Sequence, residues 1–445
     1  MKLGGEKIFP IRFRFILGNI STFLAVLLIL FAPIFRGGNR HIPLIGLEWI
    51  GLSLCLCWSL SIVVIGRLPA SWGQGAARNF LIALVLAPAY LGLLSSFALE
   101  THGTPFASFA STLKGIPIIA LGLSGLSTNS KQTSILLRAW IWVALIQAIL
   151  GLMQLTAINP LYFGQPEHEP IIGTFASKNT YSNLLVMALP LAIYGWLSNK
   201  VDSSLTERRP WLWLAALFLL LAAISLSTSR TGIVTGLLTS FLAISLLSPV
   251  RAGLGSQNPP RLRWIWLSAI ALLVSVAATG GLDWIARFDS ALLAADDAQR
   301  GLMRDATWQG AMTFWPWGSG LGSYRWVFPP FHPPELGNYL IDMAHNDYLQ
   351  LMMELGIGFV LMAALALALV ARRVWVLWAE ARRRRRGKGW READRLAVAC
   401  GLGALATALH ALVDYPFHIP ANAMFAAFLL GVFLREPLKS PHEAG

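Results

Sequence analysis

Apolar runs of membrane-crossing length recur along the whole chain, near 15–35, 44–66, 80–98, 109–126, 136–157, 181–198, 211–227, 231–248, 264–281, 349–371, 396–414 and 418–434. A helix that crosses a bilayer needs about 20 such residues. In lipid only helices and closed barrels satisfy their own backbone hydrogen bonds. The runs therefore predict an all-α integral membrane protein with about 12 transmembrane helices. Lys114 and Pro117 interrupt the fourth run. Only Thr228, Ser229 and Arg230 separate the seventh run from the eighth, which predicts a tight helical hairpin. Of the 445 residues, 56% are hydrophobic and only 13% charged, against roughly a quarter charged in a soluble domain. A disordered chain, a coiled coil and an ordinary cytosolic enzyme are excluded on this ground. Cys55, Cys57 and Cys400 lie inside apolar runs without Cys-x-x-Cys spacing, so neither a disulfide nor a thiolate-bound metal is expected.

The formal net charge is +13. In a soluble protein that excess would suggest nucleic acid. Here the basic residues sit in short segments between apolar runs, where they set membrane orientation and meet lipid headgroups. No nucleic-acid partner is expected. Lys2, Lys7, Arg12 and Arg14 precede an apolar run too long for a signal peptide, so the chain is read as beginning with a spanning helix. Both termini are then cytoplasmic, and so is the basic loop 372–395 with its run Arg382–Arg386. Three regions result. Residues 1–281 carry helices one to nine, 282–346 form one long periplasmic loop, and 347–445 carry helices ten to twelve. The loop is rich in Trp, Phe and Gly, which argues for order and function.

Cations outside the membrane go against the orientation rule, so each needs a reason. The outer set includes Lys178, Arg230, Arg287, Arg300, Arg304 and Arg325. Arg300 and Arg304 stand four apart in a segment with helical apolar spacing. Like charges at that spacing repel mildly, unless an anion lies across both. A diphosphate suits two guanidinium forks. The alternative is salt bridging to Asp296, Asp297 and Asp305. Arg230 ends the hairpin at the membrane edge, where arginine is costly unless it snorkels to the interface.

His345 can accept a proton near neutral pH. Asp342 would orient its ring if that turn is helical; otherwise His345 simply caps a helix. His410 and Asp414 share one helical face, as a proton relay for transport or as a pair that fixes helix packing. Glu48 and Glu354 read as packing or interface contacts. Trp284, Trp308, Trp315, Trp317 and Trp326 either stack on sugars or form an interfacial belt. The chain has no P-loop, GxSxG or HExxH motif.

Four segments together resemble the O-antigen ligase and polymerase superfamily of bacterial envelope glycosyltransferases. They are Gly173-Thr-Phe…Asn179-Thr-Tyr-Ser, Ser229-Arg230-Thr-Gly232, Arg304-Asp-Ala-Thr-Trp308 with Pro316-Trp-Gly318-Ser-Gly320-Leu-Gly322, and His345-Asn346-Asp-Tyr348-Leu349-Gln350 with Glu354-Leu355-Gly356. The likeness covers roughly residues 170–360. Lys178 stands where many relatives have Pro or Arg, and Ser182 where a smaller Ala is usual.

The resemblance implies a metal-independent, cofactor-free glycosyltransferase in the bacterial inner membrane, with its active site facing the periplasm. The donor would be a glycan on undecaprenyl diphosphate, and the acceptor a sugar hydroxyl of lipid A–core or of a second lipid-linked glycan. Arg230 and Arg304, with Arg300 and Arg287, would hold the diphosphate. His345 would be the general base, and Lys178, Asn179 and Asn346 further substrate contacts. Ligase, polymerase and protein-glycosylating branches share these motifs, with the ligase reading in front. A transporter of an inorganic anion is the alternative from a different class.

Overall fold

A computed structural model describes residues 8–65, 105–156, 171–198, 210–248, 290–338, 340–384 and 391–435. The expected helices at 80–98 and 264–281 lie outside the described residues, as do Trp284 and Arg287. Among the described residues every regular element is helical. The long helices are α1 (Ile8–Phe31), α2 (His41–Ile65), α3 (Pro105–Ser127), α4 (Ser130–Met153), α5 (Lys178–Leu197), α6 (Pro210–Leu226) and α7 (Arg230–Leu247). Then come α8 (Ser290–Thr313), the short α9 (Tyr324–Val327), α10 (Asp347–Leu355), α11 (Ile357–Arg384), α12 (Glu392–His410) and α13 (Pro420–Leu434). Among them α2, α3, α4, α5, α7 and α11 carry six segments long and apolar enough to cross a membrane. Shorter apolar helices lie within α1, α6 and α13.

Helix α5 is the axis of the bundle. Every residue from Thr180 to Gly195 is buried, and α4, α6, α7 and α12 pack around it. A helix apolar on all sides needs such enclosure. Polar side chains pin its neighbours. Thr407 on α12 meets Asn183 at 3.2 Å, and Asn422 on α13 donates to the Thr180 carbonyl at 2.9 Å. Beyond these, α13 presses on α3 through glycines. A Cβ at Gly125 would stand 2.3 Å from the Phe428 carbonyl oxygen, and one at Gly431 2.4 Å from that of Gly122. Small residues at helix crossings allow this backbone approach in membranes. Trp49 and Val63 on α2, and Leu367 and Trp375 on α11, point outward. Large exposed apolar side chains in such number suit a hydrocarbon solvent.

The tight hairpin forms as expected, with α6 and α7 joined through Ser227, Thr228 and Ser229. Two expectations are corrected. The run 349–371 is not one helix. It breaks at Gly356, whose φ is +54°, leaving α10 and α11 as separate elements. A Cβ at Gly356 would stand 2.1 Å from the Pro316 carbonyl oxygen, so the loop before α9 forces the break. The basic stretch after 372 is not a loop at its start, because α11 continues to Arg384.

The bundle has two chemically different ends. At one, Arg395 donates to the carbonyls of Leu197 and Leu247, and Arg435 donates to that of Thr128. These cations close the C-termini of α5, α7 and α3, where the carbonyls lack intrahelical partners. The other end gathers the starts of α5, α7 and α13, the end of α12 and the α1–α2 turn. There Thr174 donates to the Pro33 carbonyl, and Gly37 packs against Ile419 and Phe175.

Candidate active site

This second end carries the residues singled out in the sequence. Ser229 caps α7 by accepting from the Gly232 amide, and its hydroxyl donates to Asn179 Oδ1 at 2.8 Å. Arg230, the first residue of α7, directly follows Ser229 and so lies at the same end as the start of α5, where Lys178 and Asn179 stand. Ser177, the N-cap of α5, faces the Tyr415 hydroxyl. The Tyr415 ring packs edge-on against His345, with centroids 4.9 Å apart. Arg300 on α8 reaches the Val413 carbonyl at 3.4 Å. Arg304 lies one turn further along the same helix, half-buried. A continuous set of contacts therefore runs from the Arg230 turn through Ser177 and Tyr415 to His345, and on through residues 413–414 to Arg300.

His345 precedes α10, and Asn346 is that helix's N-cap. The Asn346 Oδ1 accepts from the amides of Tyr348 and Leu349, both at 3.1 Å, and its Nδ2 donates to the Leu412 carbonyl at 2.9 Å. Asn346 thus ties the His345 segment to the turn after α12. His345 itself has φ of +49°, a left-handed conformation that costs a non-glycine residue roughly 1–3 kcal/mol and that clusters at functional sites.

The orienting residue is not Asp342. That residue is exposed, and the chain before His345 is not helical. Asp414 stands there instead, with its Oδ1 3.3 Å from His345 Nδ1. The separation suits a long hydrogen bond, while the angle falls short of one. Contacts of this kind commonly tighten once substrate is bound. The side chain of Asp414 is 1% exposed and that of His345 38%. One ring nitrogen thus faces a buried carboxylate, while the histidine remains open to solvent. Burial alone would raise the Asp414 carboxyl. The imidazoles of His345 and His410 outweigh it and hold the carboxyl well below the usual carboxylate range. The His410–Asp414 pair expected on one helical face is present, at 3.9 Å, but α12 ends at His410 and Asp414 lies in the following turn.

Beneath the histidine lies a second polar layer that the sequence did not announce. Asp347 pairs with His418 and accepts from the Phe417 amide at 2.7 Å. The Asp347 amide donates to the carbonyls of Ala411 and Asp414. Gln350 bridges His418 at 3.0 Å and Glu354 at 3.2 Å. Glu354 is fully buried and accepts from the Gly322 and Tyr324 amides. It is therefore an internal anchor for the glycine-rich loop, as a packing role predicted. Gly318 closes that loop at φ of +84°, where a Cβ would stand 2.4 Å from the Glu354 carbonyl oxygen. Among the described residues no three His, Cys, Asp or Glu side chains converge as a metal-ligand set.

The arrangement can do one kind of chemistry well. A histidine braced by a carboxylate can take a proton at its second nitrogen. Arginine, present at the same end of the bundle on α7 and α8, can bind an anion bidentately. Residues 215–365 match the family model described as O-antigen ligase. This segment holds Arg230, Arg300, Arg304 and His345. Among curated proteins no match is found.

Proposed function

We propose that this membrane-integral chain, whose residues 215–365 match the family model described as O-antigen ligase, is a member of the O-antigen ligase and polymerase superfamily that transfers a glycan from undecaprenyl diphosphate to a sugar hydroxyl, foremost that of lipid A–core. The reaction runs at the periplasmic face of the inner membrane. Arg230, Arg304 and Arg300, together with Arg287, hold the donor diphosphate, and Lys178 and Asn179 line the same end. Nε2 of His345 removes the proton of the acceptor hydroxyl. The acceptor oxygen bonds to the anomeric carbon as the bond from that carbon to the diphosphate oxygen breaks. Undecaprenyl diphosphate departs with the negative charge, which the guanidinium groups stabilise as it develops. The imidazolium then returns its proton to solvent. Asn346 acts by fixing the histidine segment, and Asp414 holds the imidazole in the tautomer with Nε2 free.

The observation that supports this reading is the approach of the solvent-accessible His345 to the buried Asp414 carboxylate, at the end of the bundle where α7 begins and where Arg300 of α8 reaches Val413. The His410–Asp414 pair, which alone would suit a transport path, joins His345 at one end of the bundle, and this favours the enzyme. The test is deletion of the gene in its native host, with complementation by wild type, His345→Ala or Arg304→Ala. A ligase leaves long chains on undecaprenyl diphosphate and none on lipid A–core, with neither variant restoring them. A polymerase leaves single-repeat products. Restoration of a wild-type pattern by both variants refutes the catalytic assignment.

A further inference from the structure

His410 is fully buried at the end of α12, and among the described residues neither of its ring nitrogens has a hydrogen-bond partner. A buried polar group left without a partner is costly and calls for an explanation. The Nε2 of His410 stands 3.9 Å from Oδ2 of Asp414. The two carboxylate oxygens differ. Oδ1 faces His345 and accepts from the Tyr415 amide at 3.0 Å. Oδ2 is buried and has no hydrogen bond among the described residues, with His410 Nε2 3.9 Å away.

We propose that His410 is a positioning residue for glycan transfer: it braces Asp414 from behind, so that the carboxylate stays ionised and turned towards His345. This rests on the reading of His345 as general base. The three side chains form one array, solvent-facing His345, buried Asp414 and buried His410, built from the loop before α10, the turn 411–415 and α12. Removing His410 leaves the buried Oδ2 without that imidazole beside it. A buried carboxylate without partners there favours its neutral form or swings away. Either outcome makes His345 a weaker base. The other ionisable groups about Asp414 are Tyr415 beside it, Asp342 and Asp347 from the preceding segment and α10, and Arg300 from α8.

The experiment uses the full-length protein in lipid vesicles, with a lipid-diphosphate-linked glycan as donor and a sugar acceptor. His410→Leu fills the same space without a polar atom. It is expected to lower kcat at least tenfold with KM for the donor within twofold, and to move the acid limb of the kcat profile to lower pH. His410→Gln, whose amide can reach Oδ2, is expected to recover most of kcat and the wild-type limb. If the Leu variant does not fold, His410→Asn, with a shorter amide, takes its place. A wild-type kcat and limb in His410→Leu overturns the proposal, as does an equal loss in the Leu and Gln variants with an unmoved limb. His345→Ala run alongside separates the two levels. If it still transfers glycan, the general-base reading itself fails. If it is dead while His410→Leu is unaffected, only the role of His410 is wrong.

Discussion

Replacing Asp414 by Asn keeps the shape of the side chain and removes its charge. At 3.3 Å, two unit charges attract by about 5 kcal/mol at an effective dielectric constant of about 20. The His345 side chain is 38% exposed, so solvent screening leaves roughly half of that, about 2–3 kcal/mol. This attraction exists only once His345 carries a proton, so it stabilises the transition state more than the ground state. At about 1.4 kcal/mol per tenfold, kcat should fall about 100-fold with donor KM nearly unchanged. The tautomer adds to the loss. An Asn amide can donate to Nδ1 and leave the proton on Nε2, a replacement that costs roughly 10,000-fold in the serine protease triad. The assay is steady-state transfer from a lipid-linked glycan by purified protein in vesicles, with thermal unfolding as a folding control. A folded Asp414→Asn protein with kcat within threefold of wild type would refute the reasoning.

Arg304→Ala should abolish transfer, and Arg304→Lys should fail to rescue it, because an ammonium cannot make the bidentate contact of a guanidinium with phosphate; donor binding and kcat are measured together. Gly318→Ala should destabilise the protein by about 2 kcal/mol, from the positive φ and the Cβ clash with the Glu354 carbonyl, which a lowered melting temperature reports. Burial lowers the His418 imidazole, but the Asp347 carboxylate outweighs it and lifts it above its ordinary value of 6.5. The stability this pair gives is then complete below that value and is lost as pH rises through the folded one. Wild type should therefore lose thermal stability on going from pH 7 to pH 9, and His418→Leu should show a flatter dependence.

Much of the frame is legible in the sequence because it depends on local pattern. The hairpin at Arg230 and the helix around Arg300 and Arg304 follow from hydrophobic spacing, whereas the residue that caps α10 is Asn346 and not the neighbouring His345. Even the helix through Pro117 forms, in keeping with the tolerance of membrane helices for an internal proline. What the sequence conceals is long-range pairing. Asp342 is close to His345 in the chain, yet the intervening backbone is not helical and its side chain is exposed. Asp414 is remote in sequence and reaches His345 because Asn346 ties the segment to Leu412. The one clue was that Pro416 ends the helical pattern just after Asp414, which places that carboxylate in a turn at the same end as His345. The break at Gly356 was equally hidden, because it is imposed by Pro316 from a different loop. The Asp347–His418–Gln350–Glu354 layer left no periodic trace, as its members come from two separate segments.

The most direct test of the central claim is a transfer assay with purified wild type and His345→Ala, supplied with labelled undecaprenyl-diphosphate-linked glycan and lipid A–core. The account predicts that wild type moves the label to lipid A–core and releases undecaprenyl diphosphate, while His345→Ala binds the donor and transfers nothing. Equal transfer by both proteins would contradict it.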